Sequence, residues 1–125
     1  CFGYAAVVSD KNEDGYSCLP LVEQKKVKQV SIEAAQPTSL NLKAALDALA
    51  TKTIMVGVIN LGDETPETPE LVAQRIRKAL QYISPDRLIA APDSGLKYLP
   101  RASARAKLRA LAQGAAIVNK ELGLS

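Results

Sequence analysis

Five side chains in this sequence could carry chemistry: Cys1, Glu33, Asn60, Asp93 and Ser94. Glu33 stands in an otherwise apolar stretch, Ser31-Ile32-Glu33-Ala34-Ala35, where an ionised carboxylate is costly unless it is paired or bound to a metal. It reads either as a metal ligand or as a carboxylate that emerges at a solvated strand end beside a Lys or Arg. Cys1 reads as a ligand or as a buried, inert thiol. Ser94, in Pro92-Asp93-Ser94-Gly95, resembles a nucleophile in its setting, but the sequence contains no His, so no Ser-His-Asp triad can be assembled from it. The alternative is a turn residue beside a glycine that permits positive φ. Asn60, Asp63 and Glu64 either line a site or keep a loop wet. Cys18, in Tyr16-Ser17-Cys18-Leu19-Pro20, has no companion ligand at metal spacing and reads as a packing residue.

The elements that must position these groups alternate between strand and helix. After the apolar start CFGYAAVV, which reads as the tail of a strand, a short helix is expected over residues 19–26 and a β-branched strand over 27–34. Ser39 can cap the next helix, whose buried face is Leu42, Ala45, Leu46 and Leu49 and whose end is near Lys52. Residues 53–61 (TIMVGVINL) are apolar almost throughout, as in a parallel strand covered on both faces. Thr68 followed by Pro69 starts a helix with the stripe Val72, Ile76, Ala79, Leu80 and Ile83, and Ser84-Pro85 stops it. Residues 87–91 form a third short strand, which delivers Asp93 and Ser94 to its C-terminal end. The last helix follows Pro100, with Ala104, Leu108, Leu111, Ala115, Val118 and Leu122 on its buried face and Gly123 as terminator. Arg101, Arg105, Lys107 and Arg109 fall on its solvated face. This is parallel βα architecture. Neither G-x-G-x-x-G nor a Walker A sequence follows any strand, so a nucleotide-binding doubly wound sheet lacks its usual signature.

Bulk properties narrow the class further. The 125 residues are 47% hydrophobic and 23% charged, ordinary for a globular chain and unlike a disordered or disulfide-stapled one. A formal charge of +3 is too small to imply a nucleic-acid partner without a concentrated patch. The cluster Lys25, Lys26 and Lys28 has no aromatic platform beside it and reads as a solvated helix end. Two cysteines without a C-x-x-C pair fit a reducing cytoplasm. No apolar run approaches the roughly 20 residues that span a bilayer, so no membrane partner is expected.

Taken in order, Cys1-Phe2-Gly3-Tyr4-Ala5, Val30-Ser31-Ile32-Glu33, Gly57-Val58-Ile59-Asn60 and Ala91-Pro92-Asp93-Ser94-Gly95-Leu96-Lys97-Tyr98-Leu99-Pro100, with the helix start Glu67-Thr68-Pro69-Glu70, resemble the end of the cobalamin-independent methionine synthase family. The short, single-barrel bacterial members are the most similar, and the resemblance runs along essentially the whole chain. It implies an α/β fold in which residues 1–125 form the C-terminal portion of a (β/α)₈ TIM barrel: about three strand–helix units plus the tail of a preceding strand. The upstream barrel strands are absent from the sequence.

The resemblance also implies a catalytic zinc held by a His-x-Cys motif, by a Glu at the end of the next strand and by a Cys after the last strand. Cys1 matches the first cysteine and Glu33 the glutamate. The His would fall two positions before Cys1, and Ser94 occupies the place of the last cysteine. Zinc selects deprotonated thiolate over a hydroxyl that is hard to ionise near neutral pH, so Ser94 departs from the family pattern in the property that matters most. The implied reaction is methyl transfer from a 5-methyltetrahydrofolate polyglutamate to homocysteine, giving methionine, with this chain inactive by itself. Two alternatives accompany it. One is zinc–thiol alkyl transfer of the epoxyalkane:coenzyme M transferase type; the other is a non-catalytic remnant that acts as a binding module. A partial barrel would also leave open strand edges through which copies could associate.

Overall fold

The computed structural model describes residues 17–36 and 41–124. Three strands, β1 (Gln29–Ile32), β2 (Thr53–Ile59) and β3 (Leu88–Pro92), form one sheet in the order β1-β2-β3. Both pairings are parallel, with Ser31 opposite Met55 and Met55 opposite Ile89. Four helices accompany them: α1 (Leu19–Glu23), α2 (Leu42–Ala48), α3 (Pro69–Leu80) and α4 (Arg101–Glu121). Each strand is thus followed by a helix, as expected of a barrel sector. The apolar start of the chain lies outside the described residues.

The middle strand carries the core. Ile54, Val56 and Val58 point to one face and are at most 1% exposed, packed with Val72, Ile76, Leu46 and Leu49 from the helices. Side chains alternate across a strand, so the opposite face carries Ser31, Met55 and Ile89. Ser31 and Ile89 are exposed there, and Met55 is half-buried. The helices therefore cover one face of the sheet, and the other is the side that a closed barrel turns inward.

Local signals explain most of the boundaries. The Thr68 hydroxyl accepts from the Leu71 N–H at 3.1 Å, with Pro69 at the first helical position, so α3 starts where expected. It stops at Leu80, and Ser84-Pro85 opens instead a single 3₁₀ turn, Pro85–Arg87, that leads into β3. For α2 the cap is Asn41, whose Oδ1 accepts from the Ala44 N–H at 3.0 Å; Ser39, the expected cap, lies outside the described residues. α4 ends in a Schellman motif. Gly123, at φ +69°, donates to the Lys120 carbonyl, and Leu124 donates to that of Asn119.

Two expectations are corrected. Cys18 is exposed, because it precedes α1 at a turn and points away from the core. In α4 the buried positions are Lys107, Ala110, Gly114 and Val118, whereas Leu108 and Leu122 are exposed. The helix turns its small residues toward α3 because the two approach closely. A Cβ on Gly114 would lie 2.5 Å from Val72 Cγ1 and 2.7 Å from the Pro69 carbonyl oxygen. Leu122, at the end of α4, borders an apolar groove beside β3 that Leu80, Leu88, Ala115 and Leu124 also line.

Ala is ordinarily better than Gly in a helix by about 1 kcal/mol, but here overpacking outweighs propensity. Gly114→Ala is expected to lower stability by about 2 kcal/mol, read from the urea midpoint at unchanged m-value.

Candidate functional site at the C-terminal ends of the strands

The C-terminal ends of β1, β2 and β3 gather almost all of the buried charge. Glu33 follows β1 directly and is 2% exposed. By alternation it shares the face of Ser31, the inward one. Its backbone neighbours are held by Asp93, one residue past β3 and also 2% exposed. Asp93 Oδ1 accepts from the N–H groups of Ala34 and Ala35, and Oδ2 from that of Gln36, all at 2.9 Å. These amides leave the β-ladder to reach the carboxylate, which is why β1 ends at Ile32 and not at the expected Ala34.

The close approach requires Gly57. A Cβ there would lie 1.9 Å from Asp93 Oδ1 and 2.8 Å from Asp93 Cα. The β2–β3 register also shifts between Gly57 and Ile59, which lets the chain after β3 fold back over the glycine. Burial pushes the Asp93 carboxyl above its ordinary value. The three N–H donors oppose that rise, and the nearby Glu33 charge adds to it.

A second buried cluster stands beyond β2. Glu67 Oε1 accepts from the Asn60 N–H at 2.7 Å and from Arg75 at 3.2 Å, while Oε2 accepts from Lys107 Nζ at 3.0 Å. Lys107 is fully buried and also donates to the Thr65 carbonyl at 2.8 Å; Arg75 donates to that of Val58 at 2.7 Å. Burial works against ionising Glu67, but the Asn60 N–H and Lys107 prevail and hold its carboxyl below the ordinary range. Lys107, expected on a solvated face, is thus an internal brace: its ammonium fixes the loop that the Asn60 end of β2 enters. The signal for it lies in the spacing of Lys107, Ala110, Gly114 and Val118, a helical face of small residues with a long cation at one end.

The remaining candidates separate accordingly. Asn60 shapes the loop, its Oδ1 accepting from the Gly62 N–H at 2.8 Å. Asp63 accepts from the Thr65 N–H, and both Asp63 and Glu64 are exposed, so these two serve the loop's solvation. Ser94 is half-buried beside Asp93. Gly95, which would permit a positive φ, is exposed, and among the described glycines positive φ is found at Gly123. Cys1 lies outside the described residues. Lys25, Lys26 and Lys28 are solvated.

A carboxylate oxygen is an ordinary zinc donor, and Glu33 is buried close enough to a second carboxylate for their charges to repel, a setting that a cation relieves. Glu33 therefore fits one position of a zinc sphere. The Ser94 hydroxyl is a weak donor for that metal. No group of three or more His, Cys, Asp or Glu stands together among the described residues, so further donors have to come from elsewhere.

Residues 13–117 match the family model for the catalytic domain of cobalamin-independent synthases. The methionine synthase of Thermococcus kodakarensis is 40% identical over 97 residues, covering 78% of this chain and 29% of the relative. That of Saccharolobus islandicus strain Y.G.57.14 is 36% identical over 107 residues, covering 82% and 31%. The solved B12-independent methionine synthase from Shewanella sp. W3-18-1, in complex with selenomethionine, superposes with a TM-score of 0.79 at 34% identity, over 83% of this chain and 30% of that one. The chain thus spans about three-tenths of the length of the relatives it matches.

Lys107→Met removes one partner of a buried ion pair and is expected to cost about 3–5 kcal/mol at neutral pH. Because the folded Glu67 carboxyl is depressed, its contribution is present above the ordinary carboxylate range and lost as pH falls through the folded value. The gap between the variant and the parent chain should therefore narrow on acidification, measured by denaturant titration at a series of pH values.

Proposed function

This chain belongs to the cobalamin-independent methionine synthase family, within its catalytic domain, and on that premise we propose that it supplies one wall of an active site that transfers a methyl group from 5-methyltetrahydrofolate to homocysteine, forming methionine. The observation that carries the reading is Glu33, a buried carboxylate on the inward face at a strand's C-terminal end, where barrel enzymes place their reactive groups. The selenomethionine in the Shewanella relative's complex is an analogue of the proposed product. The relatives' names favour homocysteine over a coenzyme M-type thiol as acceptor.

Glu33 and Cys1 are the residues that would hold zinc, with Ser94 at the third position. Zinc, when bound, supplies Lewis acidity that lets the homocysteine thiol ionise near neutral pH. Glu33 offers a negative donor whose direction is set by its fixed backbone. The loop from Asn60 to Glu67, braced by Lys107, forms an adjoining part of the rim. The chain spans about three-tenths of the length of the relatives it matches, and on this reading it works as part of a larger barrel, with the cytoplasm, where thiols stay reduced, as its proposed setting.

The test is methionine formation from homocysteine and 5-methyltetrahydrofolate by the intact protein. Glu33→Gln should reduce the rate by more than the roughly 10–100-fold that loss of an outer partner of a metal ligand costs, with the circular dichroism spectrum unchanged; an unaffected rate removes Glu33 from the site. Ser94→Cys should raise both zinc affinity and rate. No gain in either would favour the second reading, a non-catalytic binding module, for which the hydroxyl at Ser94 is the specific support.

β1 and β3 are the two edges of the described sheet, and unpaired edges invite pairing. We expect the 125-residue chain alone to sediment as a species larger than a monomer, and a purely monomeric boundary would argue against open edges.

A further inference from the structure

We propose that Asp93 is a positioning residue: its carboxylate, seated over Gly57, sets the direction in which Glu33 presents its own carboxylate to a metal. The inference rests on the reading of Glu33 as a zinc ligand and adds to it a residue that does not touch the metal.

Glu33 follows the last residue of β1, so the ladder holds it only from the N-terminal side. On the other side, the next three N–H groups, of Ala34, Ala35 and Gln36, all donate to the one carboxylate of Asp93 at 2.9 Å. A carboxylate that accepts three N–H bonds is a stiff, charge-assisted anchor. It is reached across 57 to 59 residues of sequence, so no local preference of the 33–36 segment substitutes for it.

Gly57 is part of the same device. With any side chain there, Asp93 Oδ1 would meet the new Cβ at 1.9 Å, and the carboxylate could not occupy the place from which it reaches all three amides. Asp93 is itself anchored through its N–H, which donates to the Ile59 carbonyl at 3.1 Å. The pose of Glu33 is thereby referred to β2 and β3 together, the rigid centre of the sheet. All the acceptor oxygens of Asp93 named above are engaged with backbone donors, which suits an anchor better than a ligand.

The experiment is a double-mutant cycle on zinc affinity in the intact protein, read by competition with a chromophoric chelator. Asp93→Asn keeps the shape and replaces an acceptor with a donor; Asp93→Ser, which shortens the side chain, serves where the Asn variant does not fold. We expect Asp93→Asn to weaken zinc binding by about 10–100-fold in the parent background and by less than about 2-fold in a Glu33→Gln background, since the anchor then has no ligand to aim. Hydrogen exchange should speed up at Ala34, Ala35 and Gln36 while the amides of β2 and α3 keep their protection.

Equal losses of affinity in the two backgrounds, or faster exchange across the whole sheet, would make Asp93 a general stabiliser and overturn the proposal. If Glu33→Gln leaves zinc affinity unchanged, the reading of Glu33 as a ligand fails together with it. If Glu33→Gln weakens binding and Asp93→Asn does not, only the positioning role is lost.

Discussion

The arrangement of the site depends on one constraint: three consecutive N–H groups beyond the end of a strand need acceptors, and a single carboxylate from 57 to 59 residues away provides them. A parallel strand that stops short exposes donors that are expensive to bury unpaired. Asp93 satisfies them in the direction in which the chain would otherwise diverge from the sheet. Because the carboxylate rests on Gly57, all three strands take part. β3 carries the anion to its place, β2 gives it room, and the segment after β1 is fixed by it.

The two ends of the sheet are built differently. At the N-terminal end, long cations donate to carbonyls beyond the helix ends. Arg87 donates to the carbonyls of Leu49 and Lys52, and Lys52 donates to that of Lys25. Those contacts join α1, α2 and the turn before β3, and they make a tight base. At the C-terminal end the buried carboxylates are Glu33, Glu67 and Asp93; Asp93 is held by backbone N–H groups, and Glu67 by the Asn60 N–H together with Lys107 and Arg75. Burying an ion pair seldom stabilises a fold more than apolar packing of the same volume would. The Glu67–Lys107 pair is better understood as a device that fixes one loop geometry than as a source of stability. This division, stability at one end and placed polar groups at the other, is that of barrel enzymes in general.

Much of this was legible in the sequence, and the exceptions share a cause. The order of strands and helices follows from periodicity, the start of α3 from Thr68-Pro69, and the close of α4 from Gly123, because each signal is local. Glu33 could be singled out because a carboxylate in an apolar strand is anomalous wherever it occurs. For Lys107 the small-residue stripe of α4 is a weaker hint, because its burial depends on a carboxylate 40 residues earlier and on that stripe meeting Val72. The leucines of α4 attracted the expectation of burial because they form the more hydrophobic stripe, whereas close helix packing selected the stripe with Gly114. Asp93 was visible as a polar residue at a strand end, but its use as an acceptor for the segment after β1 required the register shift between Gly57 and Ile59, which no local pattern announces.

Among the described residues, the exposed leucines of α4 and the less covered face of the sheet point the same way. Among the described residues, helices cover one side of the sheet, and Ile89 and Ser31 are exposed on the other, an edge and face of the kind that a barrel would close. On the proposed reading, Glu33 is one donor of a zinc sphere, and a single carboxylate holds zinc only when other ligands converge on it. The fold would then pre-arrange one ligand before the rest of the sphere assembles. Pre-arrangement of this kind has a use only if the remaining ligands arrive on elements as rigid as β1, since the least constrained ligand limits the precision of the set. That requirement makes the hydroxyl at Ser94 the decisive position. It sits next to the anchor residue itself, so any donor there inherits the same backbone stiffness, and the chemistry of its side-chain atom, more than its placement, decides whether the sphere closes.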